Sequence, residues 1–198
     1  MTTPIQIAIR SQIQDSIAVK QVVLENQLII SQIEALANIC LSALRSGGKI
    51  IFAGNGGSFA DAQHLSAEFT SRFLFDRAPL ASLALGTNNS AMSAIGNDYG
   101  FEQVFAREFG GIAKLDDVFI PISTSGNSRS ILAAVAVAKE MGIDTIALTG
   151  ASGGQLKSMC DSICMPSTDT ARIQECHIMV GHILCGLVEK AYFTSSNY

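Results

Sequence analysis

Two helices and two loops hold the residues of this sequence that could do chemistry. His64 and Glu68 stand four apart in a segment with no glycine or proline between Ser58 and Phe73, so on a helix they share one face. Near the other end, Gln174, His177 and His182 fall in a largely apolar run that begins at Thr170. At 3.6 residues per turn Gln174 and His182 are about 80° apart and can line one site, whereas His177 is about 140° from His182 and reads as a satisfied or exposed histidine. Two imidazoles, a carboxylate and an amide oxygen suit a zinc-like divalent ion, with water or substrate completing the shell. A His-Glu pair at this spacing is more often an ordinary hydrogen-bonded surface pair, and the residues alone favour that reading over a metal site.

The first loop is Gly54-Asn55-Gly56-Gly57-Ser58. Between a strand and a helix, its free N–H groups and the positive helix end favour an anion or a polar sugar. It is not a dinucleotide fingerprint, because Phe59 stands where the third glycine belongs, and no Gly-Lys-Ser/Thr makes it a Walker loop. Its plain alternative is a tight turn with Ser58 as the helix cap. The second loop, Ser123-Thr124-Ser125-Gly126-Asn127-Ser128, packs four hydroxyls before a helix. Hydroxyls and helix amides without a lysine form a phosphate cradle suited to a sugar phosphate, against the alternative of a serine-rich turn. Gly96-Asn97-Asp98-Tyr99-Gly100 is expected to break two helical segments, either as an Asx-type turn or with groups for sugar hydroxyls.

These residues need elements to position them. From Ile5 to Leu44 apolar residues recur at helical spacing without glycine, which predicts two amphipathic helices. Short apolar runs then predict strands over Lys49–Ala53, Ser82–Leu85, Asp117–Ile122, Asp144–Thr149 and Ser162–Met165. Helices are expected over Ser58–Phe73, Ser90–Ile95, Phe101–Phe109, Ser128–Met141, Gln155–Met159 and Thr170–Phe193, with Asn197 and Tyr198 frayed. The alternation implies an α/β fold: a central parallel sheet of about five strands between two helical layers, with ligands outside the carboxyl ends of the strands. Residues 1–198 read as a single domain, of which 5–45 is an N-terminal helical extension.

Composition narrows the function further. Seventeen acidic against thirteen basic residues leave a net charge of −4, which excludes general attraction to nucleic acid or anionic lipid. Five cysteines, odd in number and scattered in apolar segments, suit reduced thiols. The first sixteen residues lack a basic patch followed by an apolar run, and no apolar stretch reaches the roughly 18 residues of a membrane span. A cytoplasmic protein is expected.

Taken together, Gly54 to Ser58, Asp61-Ala62-Gln63-His64 through Glu68 to Arg72-Phe73, Ile95 to Gly100, Ile122 to Ser128, Leu148-Thr149-Gly150 and Arg172-Ile173-Gln174-Glu175 resemble the phosphoheptose isomerases, which are sugar-isomerase (SIS) domain proteins of flavodoxin-like topology. The resemblance runs from about Gln14 to Phe193. It implies conversion of sedoheptulose 7-phosphate to D-glycero-D-manno-heptose 7-phosphate for bacterial lipopolysaccharide and related glycoconjugates. By this resemblance Asn55, Gly56, Gly57, Ser58, Glu68, Asn97, Asp98, Ser123, Thr124, Ser125, Ser128 and Gln174 contact substrate. His64, Glu68, Gln174 and His182 bind one zinc ion per subunit, and Glu68 and His182 transfer protons. The resemblance also implies a homotetramer with active sites at subunit interfaces, which gives the N-terminal helices a purpose. The sequence makes two departures from the family: Phe59 replaces a small residue, and Asn88-Asn89 stand where an acidic residue is common. A non-enzymatic SIS regulator that binds the bacterial replication initiator is the alternative, but it lacks the glutamate and final histidine present here as Glu68 and His182.

Overall fold

The computed structural model describes residues 2–194, and the fraying expected at Asn197 and Tyr198 lies outside them. The chain opens with two helices, α1 (Pro4–Glu25) and α2 (Gln27–Arg45). Asn26 separates them because its side-chain oxygen accepts from the N–H groups of Leu28 and Ile29, ending one helix and capping the next. By length and composition α2 could cross a membrane, contrary to the sequence expectation, and among the described residues it is the one such helix. Its Ile29, Ile33, Leu36, Cys40 and Leu44 instead recur at helical spacing and are buried in the protein core.

Five parallel strands follow: β1 (Ile50–Gly54), β2 (Ser82–Ala84), β3 (Val118–Ser123), β4 (Asp144–Thr149) and β5 (Asp161–Cys164). They are arranged in the order β2-β1-β3-β4-β5. Their apolar runs are continuous because both faces are covered. Ile50 and Phe52 of β1, with Val118, Ile120 and Ile122 of β3, join one core under α2, α3 (Gly57–Thr70) and α8 (Thr170–Phe193). Ile51, Ala53 and Phe119 point the other way, into a second core under α5 (Val104–Ile112), α6 (Arg129–Glu140) and the short α7 (Leu156–Met159). This is the expected three-layer α/β arrangement. All five cysteines are free.

Two local expectations are corrected. The segment from Gly96 to Gly100 is not a loop: α4 (Asn89–Tyr99) runs through Asn97 and Asp98, and the chain breaks only at Gly100, whose φ of 90° a residue with a side chain resists. Ser58 does not cap α3. The cap is Gly56, at φ 58°, and Ser58 is buried in the first turn. The two departures from the family also find places. Asn88 caps α4 by accepting from the Ala91 N–H, and the Phe59 ring lies against Gly86, whose lack of a side chain leaves the room.

Candidate active site

The strand order puts a topological switch between β1 and β3, since the chain leaves β1 toward β2 on one side and returns to β3 on the other. Gly54, the last residue of β1, pairs in register with Ile122, so the two polar loops leave the sheet side by side. Asn55 crosses between them, its Nδ2 donating to Ser128 Oγ at 2.8 Å and to Ser130 Oγ at 3.0 Å. Ser128 is the N-cap residue of α6 but makes no side-chain capping bond, and its hydroxyl accepts from Asn55 instead. Gly54 is required at the turn: a Cβ there would stand 2.3 Å from the Ser58 carbonyl oxygen.

The second loop is braced from beneath. The Ser125 hydroxyl accepts from the Asn127 N–H, and Asn127 Oδ1 accepts from the Gln155 N–H at 3.0 Å. Gly126, at φ 66°, lies so close to Gly153 that a Cβ would approach its carbonyl oxygen to 2.1 Å. Ser123 is buried at the end of β3, while Thr124 and Ser125 line a polar cleft that continues past Gly150 to Ser167 and Thr170.

Helices α3 and α8 bring the titratable groups together. They approach closely at Gly181, where a Cβ would come within 2.5 Å of the Leu65 side chain. Immediately beside that contact, His64 Nε2 lies 2.9 Å from His182 Nε2 and 3.2 Å from Glu68 Oε1. One ligand atom from each of the three falls within 4.8 Å of the others. Donors held about 2.0–2.1 Å from a tetrahedral ion stand about 3.3 Å apart, so this trio fits a divalent ion with little movement. His64 is half exposed and Glu68 one-fifth exposed, so the cluster faces solvent in the single chain.

The other sequence-singled residues divide. Gln174 places its carboxamide over Gly57, where a Cβ would stand 2.5 Å from its Nε2. It therefore flanks the first loop, about 12 Å along α8 from His182. Asn97 donates to Asp98 Oδ1 on the exposed end of α4. His177 is fully buried, neither exposed nor fully satisfied: Nε2 lies 3.2 Å from the Thr149 carbonyl oxygen, and Nδ1 has no hydrogen-bond partner among the described residues. Burial lowers its imidazole to about 4, with the Thr149 contact opposing.

Sequence reasoning gave no role to four residues around the site. Asp61, one turn before His64 on α3, has its carboxyl raised by burial and partly lowered again by His64. The Phe73 ring stacks on the His182 imidazole at 5.6 Å between centroids. Arg77 pairs with Glu189 behind both. Helical spacing gave a signal for Asp61 only, because the other contacts join positions more than 100 residues apart.

Comparison with known proteins agrees with this architecture. The SIS domain family model matches residues 13–150. The chain is 48% identical over 186 residues to a phosphoheptose isomerase of Sulfurimonas denitrificans, covering 93% of this chain and 95% of that one. It is 50% identical to one from Aneurinibacillus thermoaerophilus, covering 93% and 94%. Among solved structures, the Neisseria gonorrhoeae phosphoheptose isomerase superposes with a TM-score of 0.88 at 39% identity, covering 94% of this chain and 99% of that one. The Francisella tularensis phosphoheptose isomerase gives 0.89 at 35%, covering 95% and 100%. With the family model matching residues 13–150 and relatives 48% and 50% identical along nearly its whole length, the chain belongs to the SIS-domain phosphoheptose isomerase family.

Proposed function

We propose that this site interconverts sedoheptulose 7-phosphate and D-glycero-D-manno-heptose 7-phosphate as an aldose-ketose isomerase, supplying heptose for lipopolysaccharide and related glycoconjugates. The observation that carries this reading is the meeting of His64, Glu68 and His182 on two helices that flank the β1–β3 switch. The regulator alternative has no use for a proton-transfer pair, and the relatives compared above are named as isomerases.

In this reading Ser123, Thr124, Ser125 and Ser128 hold the phosphate by neutral hydrogen bonds and the first amides of α6. Asn55, Gly56, Gly57, Ser58, Asn97, Asp98 and Gln174 orient the open-chain sugar. Isomerisation requires a proton to leave one carbon, an ene-diol to form, and a proton to reach the neighbouring carbon. Glu68 serves as the carbon base and also contacts substrate. His182 is the acid partner, passing a proton to and from the adjacent oxygen, and positioned acid-base groups of this kind contribute about 10²- to 10⁴-fold. His64, Glu68 and His182 would hold one zinc ion per subunit, with Gln174 as the fourth ligand that the resemblance implies. When bound, the ion supplies electrostatic stabilisation of charge on the sugar oxygens.

Assembly belongs to the same reading. Ile5, Ile7, Ile9, Ile13 and Ile17 all expose more than half their surface, and Val23 is the one buried residue of α1. An apolar helix this open is suited to covering by other copies of the chain. We therefore read residues 5–45 as the oligomerisation extension of a single SIS domain in a cytoplasmic homotetramer whose subunits close over the open site. A coupled assay with sedoheptulose 7-phosphate tests the function. Turnover should vanish with a strong chelator and return with added zinc, whereas a folded, metal-loaded protein without turnover would overturn it.

A further inference from the structure

Behind the site lies a fully buried ion pair. Arg77 Nε and Glu189 Oε1 are 2.9 Å apart, with side-chain exposures of 2% and 0%. The other hydrogen bonds of both groups go to backbone. Arg77 donates from Nη1 to the carbonyls of Phe69, Ser71 and Ala78, and from Nη2 to the carbonyl of Glu68 at 2.8 Å. These include carbonyls that the last turn of α3 leaves without helical partners. Glu189 accepts from the N–H groups of Phe73 at 2.9 Å and Leu74 at 2.7 Å. The pair thus joins the end of α3, which carries Glu68, to α8, which carries His182, and fixes the chain between them at Phe73.

Phe73 is held flat against His182, with ring planes 11° apart. On α8, His182, Gly186 and Glu189 recur at i, i+4 and i+7 and so form one face. A methyl at Gly186 would already meet Phe73 at 3.5 Å and Leu74 at 3.4 Å, so a larger side chain would displace the ring from its bed. Replacing a buried ion pair by apolar residues is often neutral or stabilising, so the contribution specific to this pair is directional.

We propose that Phe73 is a positioning residue for His182, seated by the Arg77–Glu189 clamp. The stack fixes the plane of the imidazole while leaving its Nε2 edge turned to His64 and Glu68. Arg77 fixes the backbone of Glu68 itself, so one device sets the distance between the two groups that the proposed reaction uses. The inference rests on the roles assigned above to Glu68 and His182.

The test uses the full-length, zinc-loaded protein with 13C-labelled histidine. Three histidines make the spectrum assignable, and buried His177 serves as an internal reference. In Phe73→Leu the His182 resonance should move as the ring current is lost. Zinc affinity, read by chelator competition, should fall roughly 10- to 100-fold, as for other groups that orient metal ligands. The kcat should fall by a similar factor with KM unchanged, because the phosphate loops are untouched, and Phe73→Tyr should restore all three. Arg77→Lys keeps the charge but not the planar fork, and should move the same His182 resonance. Unchanged zinc affinity and kcat in Phe73→Leu would overturn the proposal, as would losses that follow thermal stability while the His182 resonance stays in place. Should the wild type fail to turn over the sugar phosphate, the function reading falls, and the resonance and zinc affinity still decide the positioning role.

Discussion

Acidification should destabilise this protein through His177 before it affects any carboxylate clamp. His177 is fully buried on α8, its one hydrogen-bonding contact among the described residues is the Thr149 carbonyl, and burial lowers its imidazole from 6.5 to about 4. Between those values the unfolded chain binds a proton that the folded one refuses. Stability is therefore complete above 6.5 and falls as pH drops toward 4. At about 1.4 kcal/mol per pH unit the gap is worth about 3 kcal/mol, a large part of the ~5–15 kcal/mol stability of a typical domain. Glu189 acts in a separate window. Burial alone would raise its carboxyl, but hydrogen bonds from Leu74, Phe73 and Arg77 outweigh this and hold it below the ordinary 4.5. Its stabilisation is present above that value and is lost as pH falls through the lower, folded one. Urea unfolding at fixed protein concentration, from about pH 7 to about pH 4, should show the wild type losing about 3 kcal/mol more than His177→Gln. Parallel curves for the two proteins would refute a neutral, buried His177.

Three further outcomes follow from the site and its helices. Protein purified without chelator should carry metal that His64→Ala loses by elemental analysis, and equal content in both would place the ion elsewhere. Ser123→Ala and Ser128→Ala should each raise KM roughly two- to tenfold, the equivalent of one neutral hydrogen bond, and unchanged values in both would remove the phosphate cradle. Light scattering should find a tetramer at micromolar concentration that polar replacements of Ile9, Ile13 and Ile17 disrupt, and a stable wild-type monomer would end the shared-site reading.

Strands were readable from sequence because a sheet covered on both faces needs continuous apolar runs, as in Val118 to Ile122. The two loops were readable because glycine and hydroxyl clusters at strand ends have few structural uses. The end of α4 was misread because Gly96 and Gly100 look alike in sequence, and only the backbone shows that Gly100 alone takes a positive φ. Helical angles separated His177 from His182 correctly but said nothing of what faced it, which proved to be β4 rather than solvent. The same geometry placed Gln174 on the side of His182 while leaving unseen the turns between them, and its amide lies over Gly57. The contacts of Arg77, Glu189 and Phe73 were illegible because their partners are distant in sequence and no periodicity links them.

The central claim is that Glu68 and His182 move protons in an ene-diol isomerisation, and solvent isotope exchange tests it most directly. In deuterium oxide the wild type should introduce solvent deuterium at the carbon next to the carbonyl of the sugar 7-phosphate. Folded Glu68→Gln should lose both exchange and turnover by about 10²- to 10⁴-fold. Product formed by the wild type without deuterium, or near-normal turnover and exchange in Glu68→Gln, would contradict the account.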